Sequence, residues 1–287
     1  MMTHLEILRR RYLPSHLPQK GKAIMSTDTA PRHQVTRMRH EVRRRTLTVQ
    51  TIEALGPKMR RITFSCDDLQ DFASASPDDH IKLFFPVPGE EKPLMRDYTP
   101  RRFDKAAGVL VIDFALHEAG PATQWAIDAK PGDTLPIGGP RGSAVVPDDF
   151  DWYLLIGDET ALPSIGRRTE ELRAGVPVIT AVVVDGPESE QVFDAKSAWQ
   201  GLWAHRGGVQ NGGTQSGGKE DAARLIAALG GVDLPSGEGF VFIAGETEMA
   251  RALKAYVVDT LGHPREWVKA AGYWTRGVAD SHGGIED

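Results

Sequence analysis

Arg96, Tyr98 and Thr99 fall within the stretch Met95-Arg96-Asp97-Tyr98-Thr99-Pro100-Arg101-Arg102-Phe103. Their spacing is that of an extended strand, where residues two apart share a face, so Arg96 and Tyr98 point the same way and Thr99 serves the other edge. A guanidinium suits a pyrophosphate, an aromatic ring suits a flat heterocycle, and a short hydroxyl reaches a ring nitrogen. Those are the demands of a flavin dinucleotide. The nine residues alone also fit an ordinary edge strand with solvated arginines, because short motifs recur by chance.

Other stretches carry chemistry of the same kind. In His117-Glu118-Ala119-Gly120-Pro121-Ala122-Thr123-Gln124-Trp125-Ala126 a Gly-Pro pair opens a helix, whose free N–H groups and positive dipole end make an anion site; a plain Pro-first helix with Thr123 as a cap fits as well. Gly138-Gly139-Pro140-Arg141-Gly142-Ser143 allows close backbone approach and projects Arg141 into any neighbouring cleft. Lys82 is a cation in an apolar run, a position also used to guard edge strands. Leu155-Ile156-Gly157-Asp158-Glu159-Thr160-Ala161-Leu162-Pro163 runs from a buried strand into a helix start, where doubly wound folds lay a nicotinamide dinucleotide's pyrophosphate, although G-x-G-x-x-G is absent. Ile243-Ala244-Gly245-Glu246-Thr247 repeats that form, and Gly245 would admit the nicotinamide. Tyr273 and Trp274 either cover a flavin face or dock the C-terminus, while Trp125 and Trp152 read as core.

The elements that must position these residues change period midway. Before about residue 148 the pattern is strand-like: 47–50, 61–65, 80–86, 98–101, 108–117 and 134–137, interrupted by one helix over 122–129. That predicts an antiparallel six-stranded barrel. Beyond it, fully apolar strands at 152–157, 178–185 and 240–244 alternate with helices at 162–174, 221–229 and 248–261, the mark of a doubly wound parallel sheet. The expected division is a basic, unstructured extension over 1–40, a barrel domain over 41–148 and an α/β domain over 149–287. A glycine-rich insertion spans 206–219 and is expected to be mobile.

The 287-residue chain can hold two cores of ordinary size. Residues 1–45 hold eleven Lys/Arg against three Asp/Glu, while the whole chain carries a formal charge of −5, so the body is acidic and nucleic acid is not an expected partner. No long apolar run predicts a membrane span or a secretory signal. One cysteine, Cys66, excludes an internal disulfide framework and fits a reducing cytoplasm.

In order along the chain, D-D-H-x-K-L-F-F-P (78–86), R-x-Y-T-x-R (96–101), H-x-x-x-G-P-A-x-x-W-A (117–126), G-P-R-G-S (139–143), D-E-T-A-L-P (158–163) and G-Y-W (272–274) resemble the siderophore-interacting protein family. The resemblance implies a cytoplasmic, monomeric flavin reductase passing electrons from NADPH or NADH through non-covalent FAD to ferric siderophores. It implies cofactor contacts at Arg96, Tyr98, Thr99, Arg101, Asp113, His117, Ala119, Gly120, Pro121, Ala122, Thr123, Gly142, Ser143, Asp158, Thr160, Ala161, Gly245, Glu246, Tyr273 and Trp274. It also implies a shallow basic substrate pocket, with Lys82 and Arg141 as its cations and Arg101 as a weaker candidate. The alternative is a ferredoxin-reductase-like flavoprotein that feeds a protein partner. For the nucleotide, Asp185 would favour ribose hydroxyls and Arg206 a 2′-phosphate.

Overall fold

A computed structural model describes residues 32–87, 89–116, 120–207, 217–278 and 283–285. The first half runs β1 (Thr36–Arg39), β2 (Arg44–Ala54), β3 (Met59–Ser65), β4 (Ile81–Phe85), β5 (Leu94–Tyr98), β6 (Arg102–Asp104), β7 (Val109–Ala115), α1 (Pro121–Asp128), β8 (Thr134–Gly138) and β9 (Gly142–Val145). Seven of these strands form one antiparallel sheet in the order β5-β4-β8-β2-β3-β7-β6, and β1 pairs separately with β9. Burial alternates along β2 and β3, so that Leu47, Val49, Ile62 and Phe64 turn inward. They meet Leu83, Ile112, Phe114, Leu135 and Ile137 in one core, which α1 closes with Ala122, Ala126 and Trp125. The period of two and a single apolar face make the sheet curl round that core.

The sheet has seven strands where six were expected, and among the described residues no ladder joins β5 to β6. The added strand, β6, is three residues long and only Phe103 of them is half-buried, too short for an alternation to register. The strand expected at 98–101 lies at 94–98 instead. Pro100 cannot donate to a ladder, so pairing stops before it. Residues 36–39, within the stretch expected to be unstructured, form β1 against β9; residues 1–31 lie outside the described residues.

The second half runs β10 (Trp152–Asp158), α2 (Leu162–Glu171), β11 (Pro177–Val184), β12 (Ala198–His205), α3 (Gly218–Leu229), β13 (Gly239–Glu246), α4 (Thr247–Ala255), β14 (Val268–Trp274) and β15 (Gly283–Gly284). Its sheet has the order β12-β11-β10-β13-β14-β15, parallel except for β15. Every residue of β10 and β13 is buried. Tyr153, Leu155, Val178, Val182 and Phe242 pack with α2 on one face, while Leu154, Ile156, Ala181, Val183 and Ile243 pack with α3 and α4 on the other. A sheet covered on both faces needs apolar side chains in both directions, which is why these strands read as unbroken apolar runs. β12 lies at the sheet edge with only Ala204 buried, so its sequence carries no such run and was not expected. α4 is shorter than the expected helix, continuing over 256–260 as a single π turn.

The chain reverses direction across the sheet between β10 and β13, the switch point where such folds open a crevice at the strands' C-terminal ends. Buried arginines hold the curled sheet to α2. Arg167 donates to Ser74 Oγ at 2.8 Å and to the Pro100 carbonyl at 3.0 Å, and Arg101 donates to both Glu170 oxygens at 2.7 and 2.6 Å. The described residues from His33 onward pack as one unit, and the expected division at 148/149 lies in the connection between β9 and β10.

Candidate functional site

A cleft of about 820 Å³ lies between the two sheets, within the range of roughly 300–1,000 Å³ common for small-molecule sites. Its walls come from the end of β5, the start of α1, the turn after β10 and the end of β14. Arg96, Tyr98 and Thr99 line it, as do Gly120, Pro121, Ala122 and Thr123. The Tyr98 ring rests on Phe114, with centroids 4.7 Å apart. Burial pushes its hydroxyl far above the ordinary range against the pull of Arg96, so the phenol stays neutral. α1 starts on an extended Gly120 with Pro121 at its first turn, and no side chain caps it at that residue. Gly120, Pro121, Ala122 and Thr123 of this start line the cleft, which brings the positive end of the α1 dipole to it.

Across the cleft, Thr160, Tyr273 and Trp274 line the α/β wall. Asp158, Ala161, Gly245 and Glu246 are buried behind that wall and do not line it. The Asp158 carboxylate accepts from the Thr160 backbone at 2.9 Å and its hydroxyl at 2.5 Å, from the Glu246 N–H at 2.8 Å and from the Trp274 indole at 2.9 Å. Gly245 has φ +140°, and a Cβ there would stand 2.6 Å from Asp158 Oδ2, so glycine is required by the carboxylate it borders. Glu246 caps α4, its side chain accepting from Met249 N at 3.0 Å.

The structure places several of the expected contacts away from the cleft, or in it but engaged by other residues. Arg101 is 5% exposed and commits both terminal nitrogens to Glu170, so it braces α2 and does not reach the cleft. Ser143 is buried behind Gly142, which does line the cleft; its hydroxyl donates to Asp79 at 2.6 Å and accepts from Ala75 N at 3.0 Å. Asp113 lines the cleft but is gripped by Arg61 through two bonds of 2.7 and 2.8 Å. Arg141 is exposed outside the lining, with its carbonyl accepting from His40 N at 2.9 Å. Lys82 does line the cleft, yet its ammonium donates to both oxygens of Asp97 at 2.8 and 3.0 Å. His117 and Ala119, and 208–216 of the insertion, lie outside the described residues.

Sequence reasoning missed two features of the lining. Lys269 on β14 pairs with Asp78, whose carboxyl is held below its ordinary value although burial works the other way. Glu159 accepts from Arg206 at 2.8 Å, leaves its second oxygen buried without a partner among the described residues, and is pushed upward by burial and by Asp158. Arg206 also reaches Asp221 at 2.9 Å and Asp185 at 3.2 Å, and Asp185 in turn takes Lys58 at 2.5 Å. The two residues expected to choose the nucleotide thus share one ion cluster at the ends of β11 and β12. Only the separate turn chemistry of D-E-T-A-L-P and the isolated Asp185 and Arg206 were visible in the chain.

A family model described as the siderophore-interacting FAD-binding domain matches residues 48–93 and 86–144, and one described as siderophore-interacting protein matches 150–277. The chain belongs to the siderophore-interacting protein family. Among its relatives, an NADPH-dependent ferric-chelate reductase of Escherichia coli is 34% identical over 83% of this chain and 95% of its own length. A siderophore utilization protein from T. fusca has a solved structure with TM-score 0.75 and 33% identity, covering 86% of this chain and 98% of that one. The siderophore-interacting protein of Aeromonas hydrophila gives TM-score 0.69 and 31% identity, covering 83% and 94%. The residues present fit the FAD for which the family's barrel domain is named: a roomy cleft, a helix start opening on it at Gly120-Pro121, and Arg96 and Tyr98 side by side on its wall.

Proposed function

We propose that this chain is an FAD-dependent NAD(P)H:ferric-siderophore oxidoreductase that releases Fe(II) for iron assimilation. The observation that carries this is the cleft itself, in which the Arg96–Tyr98–Thr99 end of β5 faces the Thr160 turn of the nucleotide-type sheet across one continuous space. Arg96 and the α1 start would hold the flavin pyrophosphate, Tyr98 would lie against the ring system and Thr99 would meet its edge. Bound there, FAD supplies the exchange of a nicotinamide hydride for single electrons. Thr160 and the start of α2 would seat the nucleotide's phosphates. Tyr273, half-buried and donating to Ser164 Oγ at 3.3 Å, and Trp274, fixed by Asp158, would keep water from the inner end of the cleft. No side chain has to give up a proton to iron, so the protein's part is to bind, orient and exclude. Hard oxygen ligands hold Fe(II) far more weakly than Fe(III), so reduction frees the metal.

Among the described residues no helix is long and apolar enough to cross a membrane. The need for NAD(P)H and the single buried thiol of Cys66 support a reducing, cytoplasmic setting. The test is reconstitution with FAD followed by nucleotide consumption with a chromogenic Fe(II) trap. Stoichiometric Fe(II) from a ferric siderophore supports the reading. Tight FAD uptake with no iron reduction would remove the siderophore from it.

A further inference from the structure

Lys82 and Asp97 are direct cross-strand partners in the β4–β5 ladder, so their side chains leave the same face of the sheet. Arg96 and Tyr98, one residue to either side of Asp97, leave the opposite face, against Leu83 and Ile81. All four residues line the one cleft. The Lys82–Asp97 face is therefore not the face that Arg96 and Tyr98 present to a cofactor. It is a second polar surface of the same cleft, and what it offers a ligand is an ion pair. The pair is well shielded, with 28% of the Lys82 side chain and 14% of the Asp97 side chain exposed.

The charge of the remaining lining points the same way. Of the described side chains, five carboxylates (Asp78, Asp79, Asp97, Asp113, Glu159) stand against three cations, Lys82, Arg96 and Lys269. Lys269 is taken by Asp78 and Lys82 by Asp97. Arg61 and Arg206, outside the lining, offset Asp113 and Glu159, so the surface is close to neutral and does not concentrate polyanions as a cationic one does. Cancelling the one cation on the β4–β5 face removes the electrostatic reward for a highly charged substrate and leaves the desolvation of both partners to be overcome.

We propose that Asp97 sets the substrate class by neutralising Lys82, so that the chain takes ferric chelates of little or no net negative charge ahead of polyanionic ones. A tris-hydroxamate complex of Fe(III) is neutral and a tris-catecholate complex trianionic, which makes the hydroxamate class the preferred substrate. This inference rests on the proposed reductase function. Asp97 acts on selection and not on the electron transfer.

The FAD-loaded parent chain, Asp97→Asn and the double variant Asp97→Asn/Lys82→Gln are assayed with a neutral ferric tris-hydroxamate and a trianionic ferric tris-catecholate, at low and raised salt. Chelate affinity is read separately by fluorescence titration, and rates are expressed per bound flavin. The parent favours the hydroxamate. In Asp97→Asn the catecholate-to-hydroxamate ratio of kcat/KM rises about tenfold at low salt and the gain shrinks as salt rises. The double variant loses the gain, because the freed ammonium is its source. A parent that favours the tris-catecholate, or an unmoved ratio in Asp97→Asn, overturns the inference and leaves the reductase function standing. A parent that takes up no FAD and reduces neither chelate overturns the function itself.

Discussion

The indole Nε1 of Trp274 donates to Oδ2 of Asp158 at 2.9 Å, tying the end of β14 to the end of β10 across the intervening β13. Because Asp158 also holds the Thr160 turn and the Glu246 backbone, one buried carboxylate fixes three separate pieces of the α/β wall.

Asp158→Ala should therefore destabilise the fold by about 3 kcal/mol, since it strands several buried donors at once. Urea unfolding measures it. The same variant should show faster acrylamide quenching of Trp274, whose indole loses its acceptor. A loss below about 0.5 kcal/mol would mean that water replaces the carboxylate without cost.

Arg206 donates to Glu159, Asp185 and Asp221, and although burial lowers its pKa, the bond to Glu159 and the charges of Glu159, Asp221 and Asp158 raise it. Arg206→Ala leaves buried charge without its partner, which costs about 3 kcal/mol. Glu159 already lies above its ordinary value through burial and Asp158, and loses the counter-charge that restrained it. A carboxyl raised in the folded state gives stability at low pH that is lost as pH rises. The variant's deficit should thus be larger at pH 8 than at pH 5, as two chemical-denaturation series would show. A uniform deficit would place the damage in packing.

Arg96→Ala should weaken FAD binding by at least about tenfold, the worth of a charge-assisted contact to a pyrophosphate, with little change in thermal midpoint of the flavin-free protein. Flavin fluorescence titration gives the number. Retained affinity would move the pyrophosphate from Arg96 to the α1 start alone.

His263 is half-buried beside Trp152 and donates to the Gly239 carbonyl at 3.0 Å. Burial lowers its pKa, outweighing that bond and the pull of Glu266. The unfolded chain then takes up the proton first, so stability is present above about pH 6.5 and falls as pH drops toward the folded value. Asp78 and Asp185 are depressed by Lys269, and by Lys58 and Arg206, in spite of burial. Their contribution is present above about pH 4 and is lost as pH falls further. Thermal midpoints across pH 3–8 should show two descending steps on acidification, and His263→Gln should flatten the upper one.

Much of this molecule was legible because its local patterns agree with its packing. The unbroken apolar runs at Trp152–Asp158 and Pro177–Val184 announced strands covered on both faces, and Gly120-Pro121 announced the start of α1. β12 escaped because an edge strand buries few of its residues, here Ala204 alone, and β6 because three residues hold no period. The site was legible in its residue types and not in its pairings. Lys82 and Arg101 read as pocket cations because nothing local shows that Asp97 lies across the ladder or that Glu170 arrives on α2. Ion pairs between segments distant in sequence, such as Lys269 with Asp78, leave no mark in either segment.

The central claim is that the cleft passes electrons from nicotinamide to ferric chelate. It is tested most directly by the visible spectrum of the FAD-loaded protein without oxygen, recorded before and after NADH or NADPH and again after a ferric hydroxamate siderophore. A flavin band that bleaches with nucleotide and returns as Fe(II) appears is the expected result. A band that bleaches and stays bleached with every ferric chelate would contradict it.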